Sequence, residues 1–510
     1  MNELEKQTRK ERIDKRLLEC GWIIVNYQVG IPSTVYTCHA VREYPTESGP
    51  VDYALFYDGI IIGVIEAKKL SLGPQNVLVQ AQRYAKGISQ SKFNFDGFRV
   101  PFIYSSNGEI FWFQDLRERN SYSRRISNFH TPEALKELMK KDFQEYCKWF
   151  ELHPNEHDRI RPYQINATKA IEEAITQGKR KIFTAMATGT GKTFTMVSQT
   201  HRLMKSGLAG RILFLVDRRA LAAQAVLEFN SFEAEPGLKF DKVYEVYSQR
   251  FRREDVEGMQ DFNPKELPQS YLAHPNMSHA FVYISTIQRM RINLFGMDQA
   301  FETSESESEE EVEANKVDIP IHAFDVIIAD ECHRGYTAKE ESKWREVLDH
   351  FDAVKIGLTA TPAAHTVAYF GEPVFRYGIE EGVREGYLVD YDGIAVHSGV
   401  KVKGIFLKEG ERIGEIDPET GLETLDNLED ERVFDASQIE RDITSPDSNK
   451  KILEEVKKYA IMHEEHYGRF PKTLIFAVND LPHVSHSDQI VRICREMFQK
   501  GDDFVKKITG

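Results

Sequence analysis

"KIFTAMATGTGKTFTMVSQTHRLM", from Lys181 to Met204, is the stretch that decides the fold of this 510-residue chain. It begins with a short apolar run typical of a buried strand, passes through a loop with two glycines and continues as a helical pattern. Glycines in such a loop let backbone N–H groups face a phosphate, and the start of the following helix favours negative charge. The stretch therefore predicts a strand, a phosphate-binding loop and a helix.

Within this loop each residue has a specific expected role. Gly189 and Gly191 allow the backbone to approach the phosphates, Lys192 reaches the β- and γ-phosphates, and Thr193 places its hydroxyl on Mg²⁺. The general pattern has an earlier glycine, but Met186 stands at that position, and a tight turn leading into a helix is the alternative. The nucleotide-binding candidates in the loop are Thr188, Gly189, Thr190, Gly191, Lys192 and Thr193.

Four further apolar runs, "RILFLVD", "FVYISTI", "FDVIIAD" and "AVKIGLTA", follow the loop and alternate with helical segments. Short continuous apolar strands separated by helices predict a parallel sheet that is covered on both faces. The predicted fold class is α/β. Changes in pattern divide the chain into predicted domains at residues 1–150, 151–384 and 385–510, with "HPNEHDRIRPYQ" as a linker after the first.

"FDVIIADECHRG" supplies an acidic pair directly after one of these strands. We expect Asp330 to hold Mg²⁺ through water and Glu331 to polarise the attacking water as a general base. An acidic pair that caps a helix is the alternative, since carboxylates are common at that position. A phosphate loop upstream favours the catalytic interpretation.

A second candidate site lies in "VDYALFYDGIIIGVIEAKK", from Val51 to Lys69. Two apolar strands flanking an Asp-Gly pair predict a β-hairpin. Residues two apart on a strand share a face, so Glu66 and Lys68 should point the same way, with Asp52 on the neighbouring strand. Two carboxylates and one lysine suit a Mg²⁺ site that activates water, whereas an edge strand protected by charge is the alternative.

Composition limits the possible settings of the protein. The net charge is −14, but "FETSESESEEEVE" alone carries seven Glu residues, so local basic surfaces for DNA are not excluded. No run reaches the ~20 apolar residues of a membrane span, so no membrane partner is expected. Five scattered cysteines form no CxxC pair, and the expected location is the reducing cytoplasm.

The motifs after residue 155 resemble those of superfamily-two helicases and translocases. Four stretches match in chain order: "RPYQINA" is similar to the Q motif, "FLVDRRAL" to motif Ia, "STIQ" to a DNA-contacting motif and "LTATP" to motif III. "DECH", which lies between the last two, is similar to the Asp-Glu-x-His box. The resemblance implies a RecA-like motor that uses ATP and Mg²⁺. It further implies that Gln164 contacts adenine and that His333, Thr359 and Thr361 couple the ATP state to the nucleic acid.

The hairpin resembles the PD-(D/E)xK nuclease fold, with Asp52, Glu66 and Lys68 at its three positions. "QAQRY" places Gln80 and Tyr84 four apart on one helix face and resembles the QxxxY element of nucleases coupled to motors. Plain core packing is the alternative for Tyr84. The first residues resemble the opening helix of type I restriction subunits, where Glu5 matches the carboxylate that the helix contributes to the site.

A nuclease domain ahead of a motor resembles the restriction subunit of type I restriction-modification enzymes, because in type III enzymes the nuclease follows the motor. The resemblance implies a PD-(D/E)xK endonuclease domain at 1–150, a first RecA-like domain at 151–384 and an incomplete second one at 385–510. It also implies ATP-driven translocation on unmodified double-stranded DNA, distant cleavage, and specificity and methyltransferase subunits as partners.

Two other interpretations remain open. One is a single-chain restriction-modification enzyme whose methyltransferase lies further along the chain. The other is a repair or defence helicase whose N-terminal domain only binds DNA. Motifs V and VI of the motor are not found before Gly510, while "TLIFAVND" resembles motif IV, so the sequence is expected to be an N-terminal fragment.

Overall fold

The structure is a computed structural model. It describes residues 9–68, 78–118, 122–251, 264–276, 278–296, 315–333, 338–391, 393, 405–407, 412–416, 423–427, 432–434, 443–444, 446–477, 486–501 and 503–507. The chain divides into two compact units, Met1–Val389 and Asp390–Gly510. Glu5 and the acidic run from Phe301 to Glu313 lie outside the described residues.

The first unit contains a mixed seven-stranded sheet with the spatial order β1 to β7. Its strands are β1 (Ile23–Asn26), β2 (Cys38–Tyr44), β3 (Val51–Tyr57), β4 (Ile60–Ala67), β5 (Phe102–Ser106), β6 (Phe111–Asp115) and β7 (Arg124–Ile126). Strands β1 and β2 are parallel, as are β4 and β5, and the other neighbours are antiparallel. Asp58 and Gly59 both have positive φ, at 46° and 77°, which confirms the predicted hairpin between β3 and β4.

Helical segments accompany this sheet. They are a π-helical turn (Arg9–Ile13), α1 (Asp14–Glu19), a 3₁₀ turn (Ser33–Val35), α2 (Leu78–Lys86), α3 (Pro132–Lys140) and α4 (Phe143–Leu152). Helix α2 lies in the connection between the parallel strands β4 and β5 and packs on both of them, as a parallel pair requires. The sheet has a core on each face, one around Leu17, Tyr53 and Ile65 and the other around Val64 and Ala81.

An eight-stranded sheet forms the second part of the same unit, and every pair of neighbours in it is parallel. The order is β13-β12-β14-β9-β15-β16-β8-β17. These strands are β8 (Lys181–Met186), β9 (Arg211–Val216), β12 (Glu245–Ser248), β13 (Lys265–Glu266), β14 (Phe281–Thr286), β15 (Val326–Ala329), β16 (Val354–Thr359) and β17 (Phe375–Tyr377). Every residue of β9, β14, β15 and β16 is buried, which confirms the prediction of a covered parallel sheet.

Helices flank this parallel sheet, and hydrophobic cores lie on both of its faces. They are α5 (Pro162–Thr176), α6 (Lys192–Lys205), α7 (Arg219–Ser231), α8 (Phe240–Val243), α9 (Gln269–Ala273), α10 (Ile287–Phe295), α11 (Ala338–His350), α12 (Ala364–Phe370) and α13 (Ile379–Arg384). A separate small hairpin consists of β10 (Glu233–Glu235) and β11 (Leu238–Lys239). The architecture is therefore α/β, as predicted.

In the second unit the described strands pair only in antiparallel fashion. Its elements are β18 (Ile405–Leu407), β19 (Arg412–Ile416), β20 (Glu423–Asn427), β21 (Arg432–Phe434), β22 (Ile443–Thr444), α14 (Pro446–Tyr467) and α15 (His486–Phe498). Residues 472–477, in the segment that resembles motif IV, have no regular secondary structure, and Phe476 is 87% exposed. None of the described strands pairs with these residues, and the resemblance to motif IV stays a prediction.

The predicted boundaries near residues 150 and 384, and the assignment of the last segment to a second RecA-like domain, stay predictions. None of the helices in the described part of the chain combines the length and apolar character that crossing a membrane requires.

Candidate functional site

The phosphate loop connects the end of β8 to the start of α6. Gly189 and Gly191 have φ of 83° and 74°, in the left-handed region that glycine adopts without strain, and Gly191 is the N-cap of α6. The hydroxyl of Thr190 donates a hydrogen bond to the carbonyl of Ala187 at 2.6 Å, which closes the loop on itself. The loop therefore already has the compact form in which backbone N–H groups and the helix start can receive a phosphate.

Gln164 forms hydrogen bonds that hold the phosphate loop in place. Its Nε2 donates to the carbonyl of Thr190 at 3.0 Å, its Oε1 accepts from the backbone N–H of Arg161 at 2.9 Å, and the residue is only 3% exposed. Tyr163, which sequence reasoning missed, donates its hydroxyl to the same Thr190 carbonyl at 2.8 Å. Both ends of the Gln164 amide are engaged within the protein, so its expected contact with adenine stays a prediction.

The acidic pair follows β15 at the same edge of the sheet. Burial and the neighbouring charge of Glu331 raise the pKa of Asp330 to about 6, while Lys192 acts in the opposite direction. The Nζ of Lys192 lies 3.6 Å from Oε1 of Glu331. Glu331 has a φ of 51°, a conformation that a non-glycine residue adopts at a cost and that is often found at functional sites.

His333 connects the acidic pair to the segment after β16. Its Nδ1 lies 3.2 Å from Oε2 of Glu331 and 2.7 Å from Oγ1 of Thr359. The backbone N–H of Thr361 donates to the same Thr359 hydroxyl oxygen at 3.0 Å. The structure thus brings together Glu331, His333, Thr359 and Thr361, because the parallel strands β15 and β16 end side by side.

The hairpin site lies on β3 and β4. Oδ2 of Asp52 accepts the backbone N–H of Ala67 at 2.7 Å, which fixes this carboxylate beside β4. Nζ of Lys68 lies 2.7 Å from Oε1 of Glu66, so these two side chains share a face, as the spacing predicts. Glu66 is 3% exposed, and such a buried carboxylate needs a cation or hydrogen-bond donors beside it.

Helix α2 contributes the remaining predicted residues of this site. Oε1 of Gln80 accepts from Nζ of Lys68 at 3.0 Å, and Nε2 of Gln80 lies 3.5 Å from the hydroxyl of Tyr84. The Tyr84 ring is buried in the core on that face of the sheet. Tyr84 therefore packs in the hydrophobic core and also lies beside the Gln80 side chain, so the structure shows a contact for each of its two expected roles.

Two residues near Asp52 were missed by sequence reasoning. Nη1 of Arg9, from the π-helical turn, lies 2.6 Å from Oδ1 of Asp52 and 2.5 Å from Oε1 of Glu43. Glu43 comes next to Asp52 because β2 and β3 pair with Arg42 opposite Tyr53 and Tyr44 opposite Val51. Only the strand register, which the sequence does not reveal, could have indicated this contact.

Within the described residues, no three side chains of His, Cys, Asp or Glu gather in a group that could hold a metal ion. The hairpin offers two carboxylates, Asp52 and Glu66. The edge of the parallel sheet at which β8, β15 and β16 end, called the motor edge below, offers Asp330 with the hydroxyl of Thr193. Mg²⁺ commonly binds through one or two carboxylates and keeps several waters, so both sets of donors fit this ion.

Comparison with known families covers both sites. Residues 23–139, which contain the hairpin, match the family described as the second domain of the type I restriction enzyme EcoKI endonuclease subunit. Residues 157–364, which contain the phosphate loop and the acidic pair, match the family described as the res subunit of type III restriction enzymes.

Curated relatives agree with the first of these families. The chain is 29% identical to the type I restriction enzyme EcoKI endonuclease subunit of Escherichia coli K12, over 99% of this chain and 45% of that protein. It is 28% identical to the EcoAI endonuclease subunit of Escherichia coli, over 90% of this chain and 50% of that protein. Both relatives are thus similar to this chain in the way that its motifs indicate, as type I restriction endonuclease subunits.

The chain spans about half the length of the curated relatives that it matches. Among solved structures, it is similar to a fragment of an HsdR subunit of a type I restriction enzyme from Vibrio vulnificus YJ016. That match has a TM-score of 0.36 and 20% identity, and it covers 98% of this chain and 75% of the other. The similarity to these family models and curated relatives confirms the resemblance seen in the motifs, whereas the roles of individual residues stay predictions.

Proposed function

We propose that this chain is the motor and nuclease part of a type I restriction enzyme, which translocates on DNA at the expense of ATP and cuts unmodified double-stranded DNA. One observation supports this most directly. A single compact unit holds two separate constellations, a phosphate loop facing an acidic pair and a hairpin carrying two carboxylates and a lysine. Hydrolysis of ATP and cleavage of a phosphodiester are the two reactions that such sites can perform.

At the motor edge, the loop backbone and Lys192 would bind the phosphates, while Thr193 and Asp330 would hold Mg²⁺. The metal would neutralise charge on the phosphates. Glu331 would orient and polarise the attacking water, and its position beside His333 would link that step to Thr359 and the segment after β16.

In the hairpin site, Asp52 and Glu66 would hold Mg²⁺, which would stabilise the charge that develops on the scissile phosphate. Lys68 lies beside Glu66 and would orient the attacking water or neutralise that charge. Gln80 is a positioning residue, because it contacts the amine of Lys68 and not the carboxylates.

The partners of this chain would be double-stranded DNA and the specificity and methyltransferase subunits of the same restriction-modification system. The curated relatives are named as type I restriction endonuclease subunits, which supports a role in a restriction-modification system. The proposed location is the cytoplasm, where the DNA substrate and ATP are both present.

Two substitutions test the proposal in the reconstituted enzyme. Lys68→Ala should abolish DNA cleavage and leave ATP hydrolysis intact, because Lys68 belongs only to the hairpin site. Lys192→Ala should abolish ATP hydrolysis and with it cleavage, because cutting depends on translocation. Lys343→Ala is the matched control, since Lys343 stands in another Glu-x-Lys sequence, on helix α11, and should change neither activity.

The results separate the proposal from its alternatives. Loss of ATP hydrolysis in a folded Lys68→Ala variant would contradict the assignment of two independent sites. No cleavage by the unmutated enzyme would favour a helicase with an N-terminal domain that only binds DNA, whereas unchanged cleavage in folded Lys68→Ala would mean that the nuclease site lies elsewhere. A methyltransferase found on the same polypeptide, and not as a separate subunit, would favour the single-chain enzyme.

A further inference from the structure

Arg9 lies on the carboxylate that the proposed nuclease site needs for its metal. We propose that Arg9 is a resident cation of this site and that a divalent metal has to displace it from Asp52 before DNA can be cut. This inference rests on the proposed nuclease function and adds a step of activation to it.

The two oxygens of Asp52 have different partners. Oδ2 accepts the backbone N–H of Ala67 at 2.7 Å, whereas Oδ1 lies 2.6 Å from Nη1 of Arg9. Oδ2 is thus held by a side-chain hydrogen bond to the main chain of β4. Oδ1 is covered by the guanidinium, so a metal that takes Oδ1 as a ligand has to displace Arg9 from it.

Among the described residues, each of the two carboxylates proposed to bind metal has a cationic side chain beside it. Glu66 is paired with Lys68 at 2.7 Å, and Asp52 is paired with Arg9 at 2.6 Å. A divalent ion that joined this set would face two nearby cations. Release of Arg9 from Asp52 would remove one of them, and the guanidinium would make room for the ion at Oδ1.

Glu43 provides a second place for the displaced guanidinium. The same Nη1 atom that contacts Asp52 lies 2.5 Å from Oε1 of Glu43, whose side chain is 53% exposed. Arg9 can therefore leave Asp52 and stay paired with Glu43, so its displacement leaves no guanidinium without an anionic partner. The exchange needs a movement of one side chain and not the unfolding of the π-helical turn.

The surroundings make this contact stronger than an ordinary surface ion pair. The side chains of Arg9 and Asp52 are only 18% and 15% exposed. An arginine guanidinium keeps its positive charge at every pH at which proteins are folded. Arg9 is therefore always charged and competes with any metal for Asp52.

Isothermal titration of the full chain with Mg²⁺, without nucleotide, tests the inference. The relevant binding is the part that Asp52→Asn removes, since this excludes Mg²⁺ at the motor edge. Arg9→Met keeps the length of the side chain without its charge, and it should bind Mg²⁺ at this site about tenfold more tightly, equivalent to ~1.4 kcal/mol. Arg12→Met is the matched control, because Arg12 lies on the same turn but pairs with Glu109 at 2.8 Å, and it should bind as the wild type does.

Cleavage by the reconstituted enzyme gives a second measurement. Arg9→Met should reach half-maximal cleavage at a Mg²⁺ concentration about tenfold lower, with an unchanged rate at saturating metal. Arg9→Lys keeps the positive charge and should retain a Mg²⁺ requirement closer to that of the wild type. If circular dichroism shows that Arg9→Met does not fold, Arg9→Gln, which is also uncharged, serves as the test and should show the same shift in Mg²⁺ requirement.

The outcomes distinguish failure of the inference from failure of the proposed function. If Asp52→Asn removes no Mg²⁺ binding from either the wild type or Arg9→Met, the metal site itself is absent. If the wild type binds Mg²⁺ at Asp52 and Arg9→Met binds it equally or less tightly, only the role of Arg9 is wrong. A lower cleavage rate at saturating Mg²⁺ would instead make Arg9 part of the catalytic apparatus.

Discussion

Lys68 is held between Glu66 on its own strand and Gln80 on helix α2, at 2.7 and 3.0 Å. The carboxylate attracts the amine toward the oxygens that we propose as metal ligands, whereas the amide fixes its direction. An amine with three donors on a flexible stem needs such a second contact to keep one position. At this scale, a single hydrogen bond from another element decides how a predicted catalytic lysine is aimed.

We predict that Gln80→Leu lowers DNA cleavage about tenfold and leaves ATP hydrolysis unchanged. The loss of one hydrogen bond to a charged group corresponds to ~1.5 kcal/mol, or about tenfold in rate. The control is Gln82→Leu on the same helix, since Gln82 contacts Gln114 at 3.0 Å and not Lys68. Equal loss of cleavage in both variants would mean that the substitutions disturb the helix and not the lysine.

Lys355 is a buried residue that the proposed mechanism does not use. Burial and the nearby charge of Arg180 lower the pKa of its amine to about 7, despite the opposing charge of Asp352. Because the pKa is lower in the folded state, the unfolded chain binds this proton more strongly, and folding is penalised most below pH 7. The penalty decreases as the pH rises from about 7 toward the unfolded value.

Lys355→Met should therefore stabilise the protein, by about 1–3 kcal/mol at pH 6 and by less at pH 9. Calorimetry at both pH values measures the difference. Lys181→Met, at a lysine that is 40% exposed beside Asp349, is the control and should change stability little at either pH. A destabilised Lys355→Met protein at pH 6 would show that the hydrogen bond from this amine to the Phe351 carbonyl matters more than its desolvation.

At the scale of elements, the start of helix α5 and the phosphate loop form one hydrogen-bonded unit. Tyr163 and Gln164 both donate to the carbonyl of Thr190, and the backbone of Arg161 donates to Gln164. The loop conformation thus depends on an element that comes about 25 residues earlier in the chain. A residue expected to recognise the base is, in this structure, a support for the loop.

This arrangement predicts that Gln164→Met weakens binding of ATP and GTP to the same extent, by about tenfold, since the contacts of its Nε2 with the carbonyls of Thr190 and Gly191, at 3.0 and 3.4 Å, are lost. Titration with fluorescent analogues of both nucleotides measures the effect. Asn166→Ala, an exposed position on the same helix, is the control. Selective loss of ATP binding would instead support the expected contact between Gln164 and adenine.

At the scale of the whole first unit, a buried ion cluster joins the mixed sheet to the parallel sheet. Asp352 lies just before β16, and it accepts from Arg124 at 2.6 Å, from Arg180 at 3.1 Å and is 2.9 Å from Nε2 of His130. Arg124 and His130 belong to the part of the chain around β7. Burial alone would raise the pKa of Asp352, but Arg124 and Arg180 outweigh it and hold the pKa well below its ordinary value.

Asp352→Asn should destabilise this unit by up to about 3 kcal/mol, because it removes the buried anion that Arg124 and Arg180 share, while solvent screens part of the loss at side chains that are 19% and 36% exposed. Since the pKa of Asp352 is lowered on folding, its contribution is fully present above the unfolded value near 4 and is lost only at lower pH. Calorimetry at pH 7 measures the loss. Asp349→Asn, at a carboxylate that is 55% exposed, should cost less than ~1 kcal/mol. Similar small effects for both variants would show that the cluster contributes little to holding the sheets together.

The sequence by itself determined the elements and the order of the motifs. Runs such as "RILFLVD" and "FDVIIAD" became buried parallel strands, and the Asp-Gly pair at Asp58 became the hairpin turn, because apolar period and turn chemistry act locally. It also brought Glu66 and Lys68 to one face, since residues two apart on a strand must share it. Functional residues that lie only a few positions apart in the sequence were therefore predictable.

Only the tertiary structure decided what stands beside each predicted residue. Arg9 reaches Asp52, and Gln164 reaches the carbonyl of Thr190, across separations of 43 and 26 residues. Such contacts depend on strand register and on packing between elements, which arise from many weak interactions together and leave no local mark in the sequence. The candidate catalytic residues could therefore be proposed from the sequence. The residues that contact and position them could not, because they come from distant parts of the chain.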